Sequence, residues 1–141
     1  MNSGYLVGQI IGTIVGAAIG AAIGSLIGAL LLQMATRLVA KFKPTYGKAY
    51  LVSFIVGYGG YVVGFFIGLA FGLSGGDATI VPWISGLIGF FGGAAIYGAM
   101  IKHPETGPIG FVKGILISLF LLAVLIVIGL IVVGLIAILA R

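Results

Sequence analysis

The chain has 141 residues, of which 62% are hydrophobic and 6% are charged, and its mean hydropathy is +1.38. So few charges cannot cover the surface of a water-soluble domain, and this composition predicts a protein surrounded mainly by lipid. The net charge of +5 falls mostly in short connectors, which favours a membrane surface over nucleic acid as the partner, and the absence of cysteine excludes disulfide and thiol chemistry.

Four apolar segments are long enough to cross a bilayer, at about 5–35, 49–73, 80–101 and 114–140. Each meets the requirement of about 20 residues for a spanning helix, and the first exceeds it, so that helix must tilt or project. A cleaved signal peptide is the alternative for the N-terminus. No basic residue precedes this segment, however, and the segment is about twice as long as the apolar region of a signal peptide. We therefore expect an all-α integral membrane protein with one transmembrane domain over residues 1–141.

The first predicted helix carries a glycine at every fourth position, from Gly4 to Gly28. Glycine costs about 1 kcal/mol relative to alanine in a helix in water. In lipid, no hydrophobic force drives helices together, and small residues let their backbones approach closely. The row therefore predicts a glycine zipper that serves helix packing or oligomer formation. Its members are Gly8, Gly12, Gly16, Gly20, Gly24 and Gly28.

Two further faces flank this glycine row. One is a second row of small residues, namely Thr13, Ala17, Ala21, Ser25 and Ala29. The other is a stiff β-branched row that suits lipid, namely Ile11, Val15, Ile19, Ile23 and Ile27. Packing inside one bundle and association with another molecule both use small residues, so both alternatives are open. The length of the row exceeds the need of one intramolecular neighbour.

The second predicted helix repeats the pattern with Gly60, Gly64, Gly68 and Gly72. An aromatic stripe runs beside these glycines and consists of Tyr50, Phe54, Tyr58, Tyr61 and Phe65. We expect the glycines, with Tyr58 and Tyr61, to form a second packing surface. The third helix is also rich in glycine, whereas the fourth is bulky. The close contacts are therefore expected among the first three helices, with the fourth facing more lipid.

Six of the seven basic residues lie in the first and third connectors: Arg37, Lys41, Lys43, Lys48, Lys102 and Lys113. The positive-inside rule then places connectors 36–48 and 102–113 in the cytoplasm and both termini outside, as in a bacterial inner (plasma) membrane. The same cations are expected to contact lipid head groups.

The other polar features are turns. In the second connector, "SGGDAT" at 74–79, Asp77 or Thr79 is expected to cap the third helix ahead of Pro82. In the third connector, the prolines and glycines of "HPETGPIG" at 103–110 predict a rigid turn.

A shift of 65 residues aligns "YGKAYLVSF" at 46–54 with "FVKGILISL" at 111–119. The same shift places Arg37 on Lys102 and Lys48 on Lys113, and polar matches at membrane borders are more informative than matches between apolar helices. We therefore expect two tandem helical hairpins, at about 5–73 and about 80–140. Parallel repeats of this kind are related by an axis along the membrane normal.

No ionisable residue lies in the interior of the four predicted spans. Membrane enzymes and ion-driven transporters usually carry one, so we expect no catalysis and no cofactor. The proteolipid ring subunits of rotary ATPases have a similar length and glycine content, but they need a mid-membrane carboxylate that is missing here. The single histidine, His103, is a weak metal candidate because no second ligand accompanies it.

These features favour a structural or accessory membrane subunit that associates with itself or with other integral membrane subunits. The alternative is a small oligomeric channel or facilitator for an uncharged solute. In that case Gln9, Thr13 and Ser25 would line the path.

Overall fold

The computed structural model describes residues 3–140 and consists of four long helices. They are α1 (Ser3–Ala40), α2 (Tyr46–Ser74), α3 (Val81–Met100) and α4 (Phe111–Leu139). All four are long and apolar enough to cross a membrane, which confirms the predicted four-helix class and is compatible with an integral membrane protein. Helix α1 is longer than expected, since it continues to Ala40 and measures about 57 Å along its axis.

Helices that follow one another in sequence also pack against one another. Helix α1 packs most extensively on α2, α3 on α4, and α2 on α3, whereas α1 touches α4 over a shorter length. The buried core draws on all four helices: Ala29, Leu32, Ala35, Ala49, Val52, Tyr97, Ile101 and Ile117. Most large apolar side chains outside this core are exposed, as expected for a bundle bathed in lipid.

The face of α1 that packs inward is an extension of the second small row. Ser25 and Ala29 are buried, and the face continues through Gln33 and Thr36. The β-branched row on the opposite side is exposed from Ile11 to Ile27. The glycine row therefore lies between the packed face and the lipid-facing face.

The closest backbone approach joins α3 and α4. A Cβ atom on Gly98 would lie 2.5 Å from the carbonyl oxygen of Gly110, and one on Gly114 would overlap the carbonyl oxygen of Ala94. The amide of Gly110 donates a hydrogen bond to the carbonyl of Gly98 at 3.1 Å. The expectation that the tight contacts lie among the first three helices is wrong here. One glycine on α3, Gly98, and one on α4, Gly114, are enough to let the two backbones touch.

The third connector forms a small antiparallel hairpin of β1 (Lys102–His103) and β2 (Gly107–Pro108). Gly107 and Gly110 have positive φ angles of 79° and 90°, a conformation that glycine adopts without strain. The ring of His103 packs edge-on against Phe42 of the first connector, with ring centroids 4.9 Å apart. This contact brings the two basic connectors together at one end of the bundle.

The second connector does not cap α3 as predicted. The residue before the helix is Ile80, which makes no side-chain cap, and Pro82 occupies the first turn. Asp77 instead accepts hydrogen bonds from the hydroxyl of Thr79 and, at 2.9 Å, from its amide. These two bonds hold the pKa of the Asp77 carboxyl below its ordinary value. The side chain of Asp77 therefore stabilises the turn ahead of α3.

The contact between α3 and α4 predicts that Gly98→Ala destabilises the bundle. The new methyl group would collide with the backbone of Gly110, and overpacking of this kind costs about 1–3 kcal/mol. The matched control is Gly92→Ala in the same helix, where a Cβ atom meets nothing within 4 Å. Denaturant titration in detergent micelles measures both, and equal stability of the two variants would contradict the described contact.

Candidate helix-association surface

The glycine row of α1 lies open over most of its length. A Cβ atom on any of the glycines from Gly4 to Gly24 would meet no neighbouring side chain or helix within 4 Å. At Gly28 the Cβ atom would lie 3.4 Å from the Cβ and Oγ atoms of Ser53 on α2. Among residues 3–140, the row therefore has an intramolecular partner only at its C-terminal end. The remaining part, Gly4 to Gly24, is called the open face below.

The open face continues into a cleft of about 450 Å³ between α1, α2 and α4, called the α1–α4 cleft below. One wall belongs to α1 and consists mostly of small residues, namely Ala17, Gly20, Ala21, Gly24, Ser25 and Gly28, together with Leu31. Leu121, Leu125 and Ile128 of α4 form the opposite wall, and Ser53, Val56, Gly57, Tyr61 and Tyr97 also contribute. The α1 wall therefore consists of exposed backbone and small side chains up to Gly28 and ends at Leu31, whereas the α4 wall consists of large branched side chains.

Two tyrosines tie α2 to α1 beside the cleft. The hydroxyl of Tyr46 donates a hydrogen bond to the carbonyl of Leu26 at 2.8 Å, and that of Tyr50 donates to Ala22 at 3.1 Å. These bonds hold the α1 segment that carries Gly20 and Gly24 at a fixed position on α2. The sequence indicated an aromatic stripe that begins at Tyr50, but it did not indicate these two hydrogen bonds. The four-residue spacing of Tyr46 and Tyr50, which places both side chains on one face of α2, could have suggested them.

The glycine row of α2 has two kinds of surroundings. A Cβ atom on Gly64 would lie 3.8 Å from Ser85, and one on Gly68 would lie 3.9 Å from Val81, so these two glycines face α3. The positions beside Gly60 and Gly72 are open. Of the two tyrosines predicted on this surface, Tyr58 stacks on Phe54 with centroids 5.7 Å apart, and Tyr61 lines the α1–α4 cleft. The predicted packing surface of α2 is therefore divided between two neighbours.

The hydroxyl groups of Thr13 and Ser25 are bonded within α1. The hydroxyl of Thr13 donates to the carbonyl of Gln9 at 2.7 Å, and that of Ser25 donates to Ala21 at 2.6 Å. Each hydroxyl proton therefore has a partner four residues earlier, a common arrangement for Ser and Thr in membrane helices. These two groups need no solute to satisfy them.

The side chain of His103 is held by contacts within the connectors. Its Nδ1 atom accepts a hydrogen bond from the amide of Glu105 at 3.2 Å, inside the β1–β2 turn. Within residues 3–140, no three His, Cys, Asp or Glu side chains lie together in a way that would hold a metal ion. The ring therefore stabilises the connector through this bond and through its contact with Phe42.

The six cations of the first and third connectors divide into two groups. Arg37 and Lys43 line a second, smaller cavity of about 290 Å³ at the end of α1. All six are exposed, and the other four, Lys41, Lys48, Lys102 and Lys113, line neither this cavity nor the α1–α4 cleft. The sequence predicted all six as one class of head-group contacts and gave no sign that two of them share a cavity.

Comparison of the chain with protein-family models, with curated proteins and with solved structures finds no match. Its function is therefore interpreted from the geometry of its own residues.

The tyrosine contacts predict that Tyr50→Phe weakens the attachment of α1 to α2. Loss of one hydrogen bond between membrane helices is expected to cost about 0.5–1 kcal/mol in the free energy of unfolding. Tyr61→Phe is the control, because it removes a cleft hydroxyl without breaking a described hydrogen bond. Unfolding in mixed micelles distinguishes them, and an unchanged stability of Tyr50→Phe would show that this bond contributes nothing.

Proposed function

We propose that the protein is a non-catalytic structural subunit of a membrane. It associates through the open face of α1 with a second copy of itself or with another integral membrane protein. The observation that carries this proposal is the empty space beside every glycine from Gly4 to Gly24. Packing inside one bundle accounts for Gly28, which meets Ser53, but it gives no reason for the rest of the row.

The physical basis of the association is close backbone contact. Lipid chains are as apolar as the helix surface, so two helices gain by association only where they pack more densely than lipid does. A row of glycines lets a partner helix come within dispersion distance of the α1 backbone over many residues. In the α1–α4 cleft, the small wall next to Leu121 and Leu125 would receive side chains of that partner.

We further propose that the bundle consists of two tandem hairpins that repeat one unit. Helices α2 and α4 both contain 29 residues, and their first residues are 65 apart. Six pairs of buried residues are related by the same shift: Ala29 and Ala94, Leu32 and Tyr97, Gln33 and Gly98, Thr36 and Ile101, Ala49 and Gly114, and Val52 and Ile117. Because lipid imposes no inward-facing pattern on sequence, a shared set of buried positions supports duplication.

The starts of α2 and α4 support the same proposal. The residues that precede the two helices, Thr45 and Gly110, are separated by 65. The carbonyl of Thr45 accepts a hydrogen bond from Ala49, and that of Gly110 accepts one from Gly114, both at 3.0 Å. The two units differ where Gly110 replaces the capping hydroxyl of Thr45, which lets the backbone of Gly98 approach.

The orientation follows from the charge at one end of the bundle. Since Phe42 contacts His103, the connectors that carry six of the seven basic residues lie together. We propose that this end faces the cytoplasm of a plasma membrane, with both termini on the opposite side, as the positive-inside rule requires.

The decisive test is Gly16→Leu, which is expected to weaken association at least about tenfold, because a leucine holds the two backbones apart and forfeits their dispersion contacts. Gly16 has open space beside it, so insertion and the fold of the monomer should persist. Gly134→Leu on α4 is the matched control, since its position is equally open. Crosslinking in the membrane and particle size in mild detergent measure the effect.

Two outcomes would contradict the proposal. One is that Gly16→Leu and Gly134→Leu both crosslink and elute like the parent. The other is that Gly16→Leu lowers the stability of the monomer, which would indicate a partner for the open face within the chain. Gly64→Leu provides the comparison for that second outcome, because its side chain would press on Ser85 and destabilise the contact between α2 and α3.

A further inference from the structure

The first connector folds back along α1 and is fixed there by two contacts. Lys41 adopts a left-handed conformation with φ of 63°, which is unfavourable for a residue with a side chain and reverses the chain direction. Phe42 then packs on His103, and the carbonyl of Pro44 accepts a hydrogen bond from Nε2 of Gln33 at 2.8 Å. Lys43 is therefore held next to the last turns of α1.

This arrangement creates an amphipathic cavity of about 290 Å³, called the Arg37–Lys43 cavity here. Its polar end consists of Arg37, Lys43 and Gln33, and its apolar end consists of Leu30 and Met34. Residues 30, 34 and 37 share one face of the helix, so the apolar wall runs from the charged end towards the membrane interior. Leu30 and Met34 are both exposed on that wall.

The charge in this cavity is unbalanced. The chain has only two acidic side chains, Asp77 and Glu105, and neither lines the cavity. The last carbonyls of α1 contribute a partial negative charge, equivalent to about half an elementary charge, which two full cations outweigh. An anion would therefore relieve the repulsion between Arg37 and Lys43.

Gln33 supplies a neutral donor at the same place. Its side chain lines the cavity although the residue is only 7% exposed. An amide nitrogen carries two hydrogens, and Pro44 accepts one of them. The second is available to an oxygen atom of a ligand in the cavity.

We propose that the Arg37–Lys43 cavity binds one anionic phospholipid. Its phosphate lies between Arg37 and Lys43 and accepts from Gln33, and one acyl chain follows Leu30 and Met34. The apolar wall favours a lipid over a free phosphate ion, because only a lipid carries an acyl chain that packs on Leu30 and Met34 while its phosphate meets the two cations. This assignment selects two of the six connector cations as a specific site.

Native mass spectrometry of the full chain, purified in mild detergent with phosphatidylglycerol and phosphatidylcholine in equal amounts, tests the proposal. The monomer is expected to retain one phosphatidylglycerol. The Arg37→Gln, Lys43→Gln double variant should retain it at least about tenfold less. The matched control is Lys102→Gln with Lys113→Gln, which removes the same charge from the other connector and should keep the lipid.

Three results would overturn the proposal. They are equal loss of the lipid from both double variants, equal retention of phosphatidylcholine, and displacement of the bound lipid by inorganic phosphate. A charge-preserving variant, Arg37→Lys with Lys43→Arg, should retain the lipid if the site is electrostatic. Its failure to do so in a protein with unchanged helix content would also contradict the site. Because the monomer is measured, failure of self-association leaves this result unaffected.

Discussion

Close approach between helix backbones is the interaction on which this bundle depends. In lipid, burial of another isoleucine brings little, because the solvent is already apolar. The bundle is tightest where a side chain is missing, at Gly98 against Gly110 and at Gly114 against Ala94. These contacts fix the end of α3 and the start of α4, and the contact between His103 and Phe42 joins that end to the first connector.

The existence and approximate limits of the four helices could be predicted from the sequence, because the thickness of a bilayer sets a length that apolar segments must meet. The face of α1 that packs against the other helices could not be predicted. The row through Ser25 and Ala29 and the row through Gly20 and Gly24 are both small, and lipid and protein interior favour the same side chains. A soluble helix separates its two faces by polarity, whereas α1 offers only differences in size.

The candidate association surface could be predicted only in part. The spacing of the glycines indicates close packing, but only the positions of α2 and α4 show that the row is free from Gly4 to Gly24. The Arg37–Lys43 cavity was less predictable still. It depends on the reversal at Lys41 and on the bond between Gln33 and Pro44, which join residues that are 11 positions apart. No pattern within one helix carries that information.

The unequal lengths of α1 and α3 have a mechanical consequence. Helix α3 spans about 30 Å with 20 residues and matches the hydrocarbon core, whereas α1 has 38 residues and must lean or protrude. Since the connectors hold α1 at one end, thinning of the bilayer would tilt the helix and displace its N-terminal turns the most. The angle between α1 and α4, and with it the width of the gap that separates them, would then vary with membrane thickness.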